Sequence, residues 1–366
     1  SILALILAMV VCAVPRAQVR AAYRPVSSIV LTVGSPTMVV NGFEVPVDAS
    51  DAGVVPLVET TWNRAVVPIR SIVEMTGGDV AWNARTRTVR LALDGHSVDL
   101  AVGNAQARVD GRTTWIDTDH RVVPAIVHGR VMIPIRFAAE SLGGLATWTA
   151  ASRTITLTLP KQMVEVTDMA GNKVTVPRRV IRIATVSATA TQLVFAVGAQ
   201  DQLVVATFGP AVKGKAMSLI FPRMSKIPSA GDQNTASIES LLAARPDIVL
   251  TEAGSMLTAL KAAGLPAYVF SAERPGELVD GITRMGQLTG RVQQAQKAVD
   301  RLNSRMKAVT DAVAAVEPAK RPRVYVAGSG IFKTFGGDFF QTFMVRNAGG
   351  VSVSEGVSGG KIDVSP

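Results

Sequence analysis

SIESLLAARPDIVLTEAGSMLTALKAAGLPAYVF, residues 237–270, decides the architecture of the second half of this chain. Ser237 to Ala244 reads as a helix, and Asp247-Ile-Val-Leu as a short strand. Met256 to Ala263 reads as a second helix halted at Gly264, and Ala267-Tyr-Val-Phe as another apolar strand. Strands without polar alternation, separated by helices, predict a parallel sheet covered on both faces.

The same rhythm extends upstream. VEVTDMAGNKVTVP (164–177) reads as a β-hairpin turning at Ala170-Gly171-Asn172. A strand follows at Ile181 to Thr185, then a helix from Thr189 to Val197 that ends at Gly198, then a strand at Leu203 to Ala206. Ligands of such sheets bind at the carboxyl ends of the strands. Those ends are loops of small, polar and Gly residues: Thr185–Thr189, Thr207-Phe208-Gly209, Ser229-Ala230-Gly231 and Thr251–Ser255.

Downstream the rhythm breaks. Val292, Ala295, Val299, Leu302, Met306, Val309, Val313 and Val316 fall at three- and four-residue steps, which predicts one helix over about 290–316. About 26 residues at 1.5 Å each run ~39 Å, too long for a crossover within one small sheet. Such a helix suits a strut between two lobes. A new unit then opens at 322 with Arg323-Val-Tyr-Val-Ala and the loop Gly328-Ser329-Gly330. This second lobe is expected to be incomplete, since matching the first would take on the order of 70–100 further residues.

The first half is built differently. VVPIRSIVEMTGGDVAWNARTRTVRLAL from Val66 and MIPIRFAAESLGGLATWTAASRTITLTL from Met132 superpose at a constant offset. They share Pro68/Pro134, Ile69/Ile135, Arg70/Arg136, Glu74/Glu140, Gly77-Gly78/Gly143-Gly144, Trp82/Trp148 and Arg87-Thr88/Arg153-Thr154. So many identities at one period mark a duplicated unit. In each, a Pro-led helical turn sets Arg and Glu four apart, where an ion pair can form. Gly-Gly then stops the helix. An alternating strand follows, and the Trp is expected to bury its ring against its own unit.

Of 366 residues, 48% are hydrophobic, enough apolar material for two or three cored domains. SILALILAMVVCAV opens the chain, shorter than the ~18–20 residues needed to span a bilayer. With Val19-Arg20-Ala21 behind it, 1–21 reads as a secretory signal lacking its start, the other reading being a membrane anchor. Cys12, the single cysteine, lies in that segment, so the mature chain has no disulfide, no Fe–S ligand and no Cys nucleophile. Residues 22–160 carry 12 Lys+Arg against 12 Asp+Glu, and residues 161–366 carry 24 against 16. The positive surplus of the second half favours anionic partners but forms no basic–aromatic strip, which speaks against nucleic acid. His96, His120 and His128 show no i, i+4 pairing for a metal. No GxSxG, HExxH, Walker A or GxGxxG sequence is present, so an enzyme is the weakest class.

The duplicated PIR…E..GG…W…R.T pattern, over about residues 30–160, resembles the copper amine oxidase N-terminal-like domain. That resemblance implies an α+β stalk without copper or oxidase chemistry. In the second half, VTDMAGNKVTVP (166–177), SAGDQNTASIESLLAARPDIVL (229–250), LKAAGLPAYVF (260–270) and KTFGGDFFQTFMVRNAGGVSV (333–353) together resemble the periplasmic binding proteins with a helical backbone. The family implies an α/β protein with two lobes joined by a long helix, binding ferric siderophores, haem or cobalamin for an ABC permease.

The resemblance also implies that each lobe docks on the permease through a surface acid. Glu239 is the match in the first lobe, although an acid there also complements the helix dipole. Ligand contacts are expected at Ser187, Thr189, Phe208, Glu252 and Ser255 of the first lobe. From the second they are expected at Ser329, Phe335 and the turn Gly336-Gly337. Each polar one could equally serve as a loop hydrogen bond or cap. Bare Fe³⁺ would need several hard anionic ligands, and this half has just two tyrosines and no histidine. The expected cargo is a metal chelate, with no cofactor, no enzymatic activity and a monomeric protein. The competing class is a cell-surface binding or adhesion protein without a transport role.

Overall fold

The computed structural model describes residues 26–207, 221–232, 234–252 and 254–364. The expected signal at 1–21 lies outside them, as does Phe208.

The N-terminal domain passes twice through one series of elements. The first pass comprises β1 (Val26–Thr32), β2 (Thr37–Val40), β3 (Phe43–Pro46), β4 (Leu57–Glu59), β5 (Arg64–Pro68), α1 (Ile69–Met75), β6 (Asp79–Asn83) and β7 (Thr88–Leu93). The second comprises β8 (His96–Ala101), β9 (Gln106–Val109), β10 (Arg112–Trp115), β11 (Ala125–Val127), β12 (Arg130–Pro134), α2 (Ile135–Ser141), β13 (Leu145–Thr149) and β14 (Thr154–Pro160). The duplication is therefore longer than the identities at Val66 and Met132 reveal. The two passes also exchange strands. One five-stranded sheet runs β13-β14-β1-β2-β3 and the other β10-β9-β8-β7-β6, so each takes three strands from one pass and two from the other. Between them β5 and β12 pair antiparallel with Val67 opposite Ile133, equivalent residues of the two passes, which places a pseudo-two-fold axis there. One continuous aliphatic core, including Ile29, Ile72, Leu91, Ile133 and Leu157, unites both passes.

The Gly pairs end α1 and α2 as expected, with Gly77 and Gly143 at φ +84° and +75°. Their partners serve another purpose: a Cβ on Gly78 or Gly144 would lie 2.6 or 2.5 Å from the carbonyl oxygens of Ala92 or Thr158. Arg70 and Glu74 do form the i, i+4 ion pair, at 3.4 Å. The tryptophan expectation fails. Trp82 and Trp148 are each 39% exposed, because β6 and β13 lie at sheet ends and turn these positions outward. Val73, Leu91, Ala139 and Leu157 fill the interior instead.

Two ion pairs tie the passes together. Arg64 donates to Asp117 at 2.7 and 3.0 Å, and Arg130 to Asp48 at 2.6 and 3.4 Å. The Arg64 hydrogen bond holds the Asp117 carboxyl down to about 2, and Arg130 holds Asp48 well below the usual carboxylate range. Both carboxyls are depressed in the folded state, so their stabilisation is present above about pH 4 and lost as pH falls towards 2. Far-UV circular dichroism against pH should show the domain folded at about pH 4 and losing structure below. An R64M/R130M double variant should unfold at a higher pH than the parent.

The second half opens with the hairpin β15 (Met163–Thr167) and β16 (Lys173–Pro177). Asp168 shapes its turn by accepting from Ala170 N (3.0 Å) and Asn172 N (2.7 Å), and ties it to the sheet by accepting from Val269 N (3.1 Å). The sheet contains β17 (Ile183–Thr185), β18 (Leu203–Val205), β19 (Ile248–Thr251) and β20 (Ala267–Val269). All pair in parallel, in the order β18-β17-β19-β20. Ile248 and Leu250 face the hairpin, α3 (Ala188–Ala196), α6 (Pro275–Thr289) and α7 (Val292–Val313). Val249 faces α4 (Ile238–Ala244) and α5 (Ser255–Ala262) on the other side. This is the doubly covered parallel sheet that 237–270 predicts.

The strut differs in detail. The helix α7 has 22 residues, about 33 Å by 1.5 Å per residue, and α6 precedes it as a separate 15-residue helix that the strut reading overlooked. Gly290 in the left-handed region (φ +71°) separates the two, and Gly286 packs directly on Ala295 where they cross. Ala295 and Val299 join the first lobe's core, while the Thr310 hydroxyl donates to Asn347 Oδ1 at 3.0 Å and Val313 packs on Gly349. The helix thus has one end on each lobe.

Of the second lobe, β21 (Arg323–Val324) pairs in parallel with β23 (Val351–Ser352), and β22 (Lys333–Phe335) antiparallel with β24 (Lys361–Asp363). Helix α8 (Phe340–Asn347) lies between them in sequence. The expected strand 323–327 is reduced to two residues, with Tyr325 turned outward and its hydroxyl donating to Ile331 O at 2.6 Å.

Candidate functional site

In the sheet order, the chain leaves β17 towards β18 on one side and later leaves β19 towards β20 on the other. The adjacent carboxyl ends of β17 and β19 are therefore the topological switch point, where open α/β sheets form their binding crevice. Ser187 follows β17 and Glu252 follows β19. The Ser187 hydroxyl donates to Glu252 Oε1 at 2.8 Å, so two residues 65 positions apart meet at the crevice.

Ser187 is also the N-cap of α3, accepting from Ala190 N. Its position is fixed from below. Thr185 and Thr191 share a 2.6 Å hydroxyl contact, and Thr191 donates to Thr207 O at 2.6 Å. The Thr207 hydroxyl donates to the carbonyls of Thr185 (3.2 Å) and of Gly231. This threonine chain, buried at Thr185 and Thr191 and half-buried at Thr207, clamps the loops after β17 and β18 and the returning segment at Gly231. The sequence singled out these loops for their small residues, but not the threonines that hold them. On the neighbouring loop the Thr251 hydroxyl donates to Glu252 O at 3.1 Å.

The other candidates separate into groups. Thr189, in the first turn of α3, and Ser255, the first residue of α5, are both exposed near the crevice. Ser329 is exposed on the loop before β22. Phe335 is half-buried and stacks on Phe339 with centroids 6.1 Å apart. The turn Gly336-Gly337 is structural: its amides donate to Gly360 O and Val357 O, both at 2.9 Å. A Cβ on either would strike the backbone of Gly359 or Glu355. Those amides are committed to bonds within the fold. Glu239 is exposed in the first turn of α4, with Ser237 as the cap.

The lobes touch beside the crevice. Arg274 donates to Asp338 at 2.8 Å and to Glu277 at 2.8 Å, lies over the Phe339 ring, and Phe340 N donates to Glu273 O at 2.8 Å. Behind the sheet, Lys161 donates to Asp247, both at most 3% exposed. Asp247 Oδ2 also accepts from Ile181 N (2.9 Å) and Arg182 N (3.1 Å), which anchors the end of the N-terminal domain to the base of the lobe. The Arg182 guanidinium continues the junction by donating to Asn41 O at 2.8 Å.

Residues 183–366, half of the chain, match the periplasmic binding protein family. Residues 51–157 and 118–187 match the copper amine oxidase N-terminal domain. A cobalamin-binding protein of Halobacterium salinarum is 26% identical over 200 residues, which cover 52% of this chain and 51% of that protein. The molybdate-binding protein MolA of Haemophilus influenzae is 24% identical over 214 residues, covering 52% and 60%. The chain spans about half the length of the curated relatives it matches. Among solved structures, MolA with bound molybdate superposes with a TM-score of 0.48 at 24% identity, covering 55% of this chain and 69% of that one. The vitamin B12 binding protein BtuF of Vibrio cholerae gives 0.41 at 20%, covering 52% and 72%.

Proposed function

Because the chain belongs to the periplasmic binding protein family, joined to a copper amine oxidase N-terminal domain, we propose that it is the extracytoplasmic substrate-binding component of an ABC importer for a metal chelate. The observation that carries this reading is the Ser187–Glu252 pair at the switch point of the parallel sheet. The strut α7 supports it, because one of its ends packs on the first lobe and the other on the second.

The chemistry of the crevice supports the chelate reading. Glu252 offers a carboxylate oxygen that is not used by Ser187, an acceptor for N–H or O–H donors. A chelate with peripheral amides or hydroxyls, such as cobalamin or a ferric hydroxamate, meets that demand. A bare oxyanion such as molybdate would meet a like charge. Haem stands between the two, with a large apolar face and two carboxylates. Among the described residues no helix is long and apolar enough to cross a membrane. Export rests on the signal read at 1–21, and permease docking on exposed Glu239.

All four tryptophans (Trp62, Trp82, Trp115, Trp148) lie in the N-terminal domain, so calorimetry is the appropriate probe of the cleft. Titration with cobalamin, ferric hydroxamate, haem and molybdate should give one-to-one binding of a chelate at micromolar affinity or better, and none for molybdate. Binding of molybdate alone, or of nothing, would contradict the chelate reading.

A further inference from the structure

Two grooves on the N-terminal domain are copies of one another. The first, about 700 Å³, is lined by Asp48, Arg70, Glu74, Trp82 and Arg130. The second, about 430 Å³, is lined by Asp117, Arg136, Glu140, Trp148 and Arg64. Each residue of one has its equivalent in the other across the pseudo-two-fold axis. Both volumes fall in the usual small-ligand range of roughly 300–1,000 Å³. The domain's own core does not require the tryptophans: both indoles are left 39% exposed while aliphatic residues fill the interior. An exposed indole repeated at equivalent positions is an unsatisfied apolar surface beside fixed polar groups.

We propose that these grooves are paired saccharide-binding sites, each taking a segment of an uncharged glycan strand. An indole face carries negative quadrupole density and is flat, which matches the C–H face of a pyranose ring. Beside it, planar donors and acceptors are already held in place: Arg130 on Asp48 and Ser50 in one groove, Arg64 on Asp117 in the other. Pre-paired guanidinium and carboxylate groups suit neighbouring hydroxyls, which donate and accept at once. They also make the groove floor neutral, and residues 22–160 carry equal numbers of basic and acidic side chains. An anionic polymer would gain nothing from such a surface and would meet Glu74 or Glu140 at its edge. Two equivalent sites on one rigid domain would grip one long strand far more tightly than either alone. The inference stands apart from the chelate cleft, since the grooves share no residue with it.

The test uses tryptophan emission and calorimetry with hexamers of β-1,4-linked N-acetylglucosamine, β-1,4-linked glucose and α-1,4-linked glucose. At least one should perturb the emission and titrate two sites per chain. W82A and W148A should each remove one site, and the double variant should lose at least about 20-fold in affinity. The W82F/W148F variant, which keeps a ring, should retain binding within several-fold, and circular dichroism should show all variants folded. E252A should leave sugar binding unchanged. No response to any of the three hexamers, or undiminished binding by the folded W82A/W148A variant, would overturn the proposal.

Discussion

Replacing Asp247 with alanine is expected to destabilise the protein by about 3–5 kcal/mol, the range found when one partner of a buried ion pair is removed. The reason lies in what remains. Lys161, buried to 3% exposure, would be left without its anion, and burial already pushes its ammonium pKa down. Ile181 N and Arg182 N would lose their acceptor at the same time. A K161M/D247L double variant should recover much of the loss, because it removes the uncompensated charge along with the pair. Urea denaturation of the three proteins measures this. An Asp247→Ala variant within about 0.5 kcal/mol of the parent would show that the junction contributes nothing to stability.

At the crevice the expected effect is on binding. Glu252→Ala should weaken the chelate by at least about tenfold, since a hydrogen bond to a charged group is worth about 1.5–3 kcal/mol. The urea midpoint should stay near the parent's, because Glu252 stands at the crevice and has no buried charge partner among the described residues. Ser187→Ala should behave differently, weakening the ligand and also costing about 1 kcal/mol of stability through the lost α3 cap. Calorimetry and denaturation of the same two variants separate these outcomes. Unchanged affinity in both would remove the pair from the binding site.

The parallel sheet was legible because strands such as Asp247–Leu250 are short, apolar and bounded by capped helices, a purely local signal. The hairpin at 164–177 was legible for the same reason, through the turn residues Ala170-Gly171-Asn172. Helix α6 was missed although its signals are local too: Pro275 at its start, Glu277 in a capping box, and Gly290 at its end. The exchange of strands in the N-terminal domain was not legible. Nothing within β1 says that its partner is β14, more than 120 residues away, when β2 and β14 alternate in the same way. The outward turn of Trp82 and Trp148 was misread because a large apolar ring at a conserved spacing within the repeat fits a core and a binding wall equally well. Meetings such as Ser187 with Glu252 depend on strand order, which a single sequence does not encode locally. Gly336-Gly337 shows the converse: the glycines were noticed correctly, but the close approach they permit is to the protein's own loop at 355–360.

The claim that the switch-point crevice captures the chelate is tested most directly by amide hydrogen exchange with and without the chelate that binds in the calorimetric panel. The account predicts slowed exchange over 186–190 and 251–257, where the loops after β17 and β19 meet, with the N-terminal domain unchanged. Protection confined to the N-terminal domain, with those two loops exchanging as before, would contradict it.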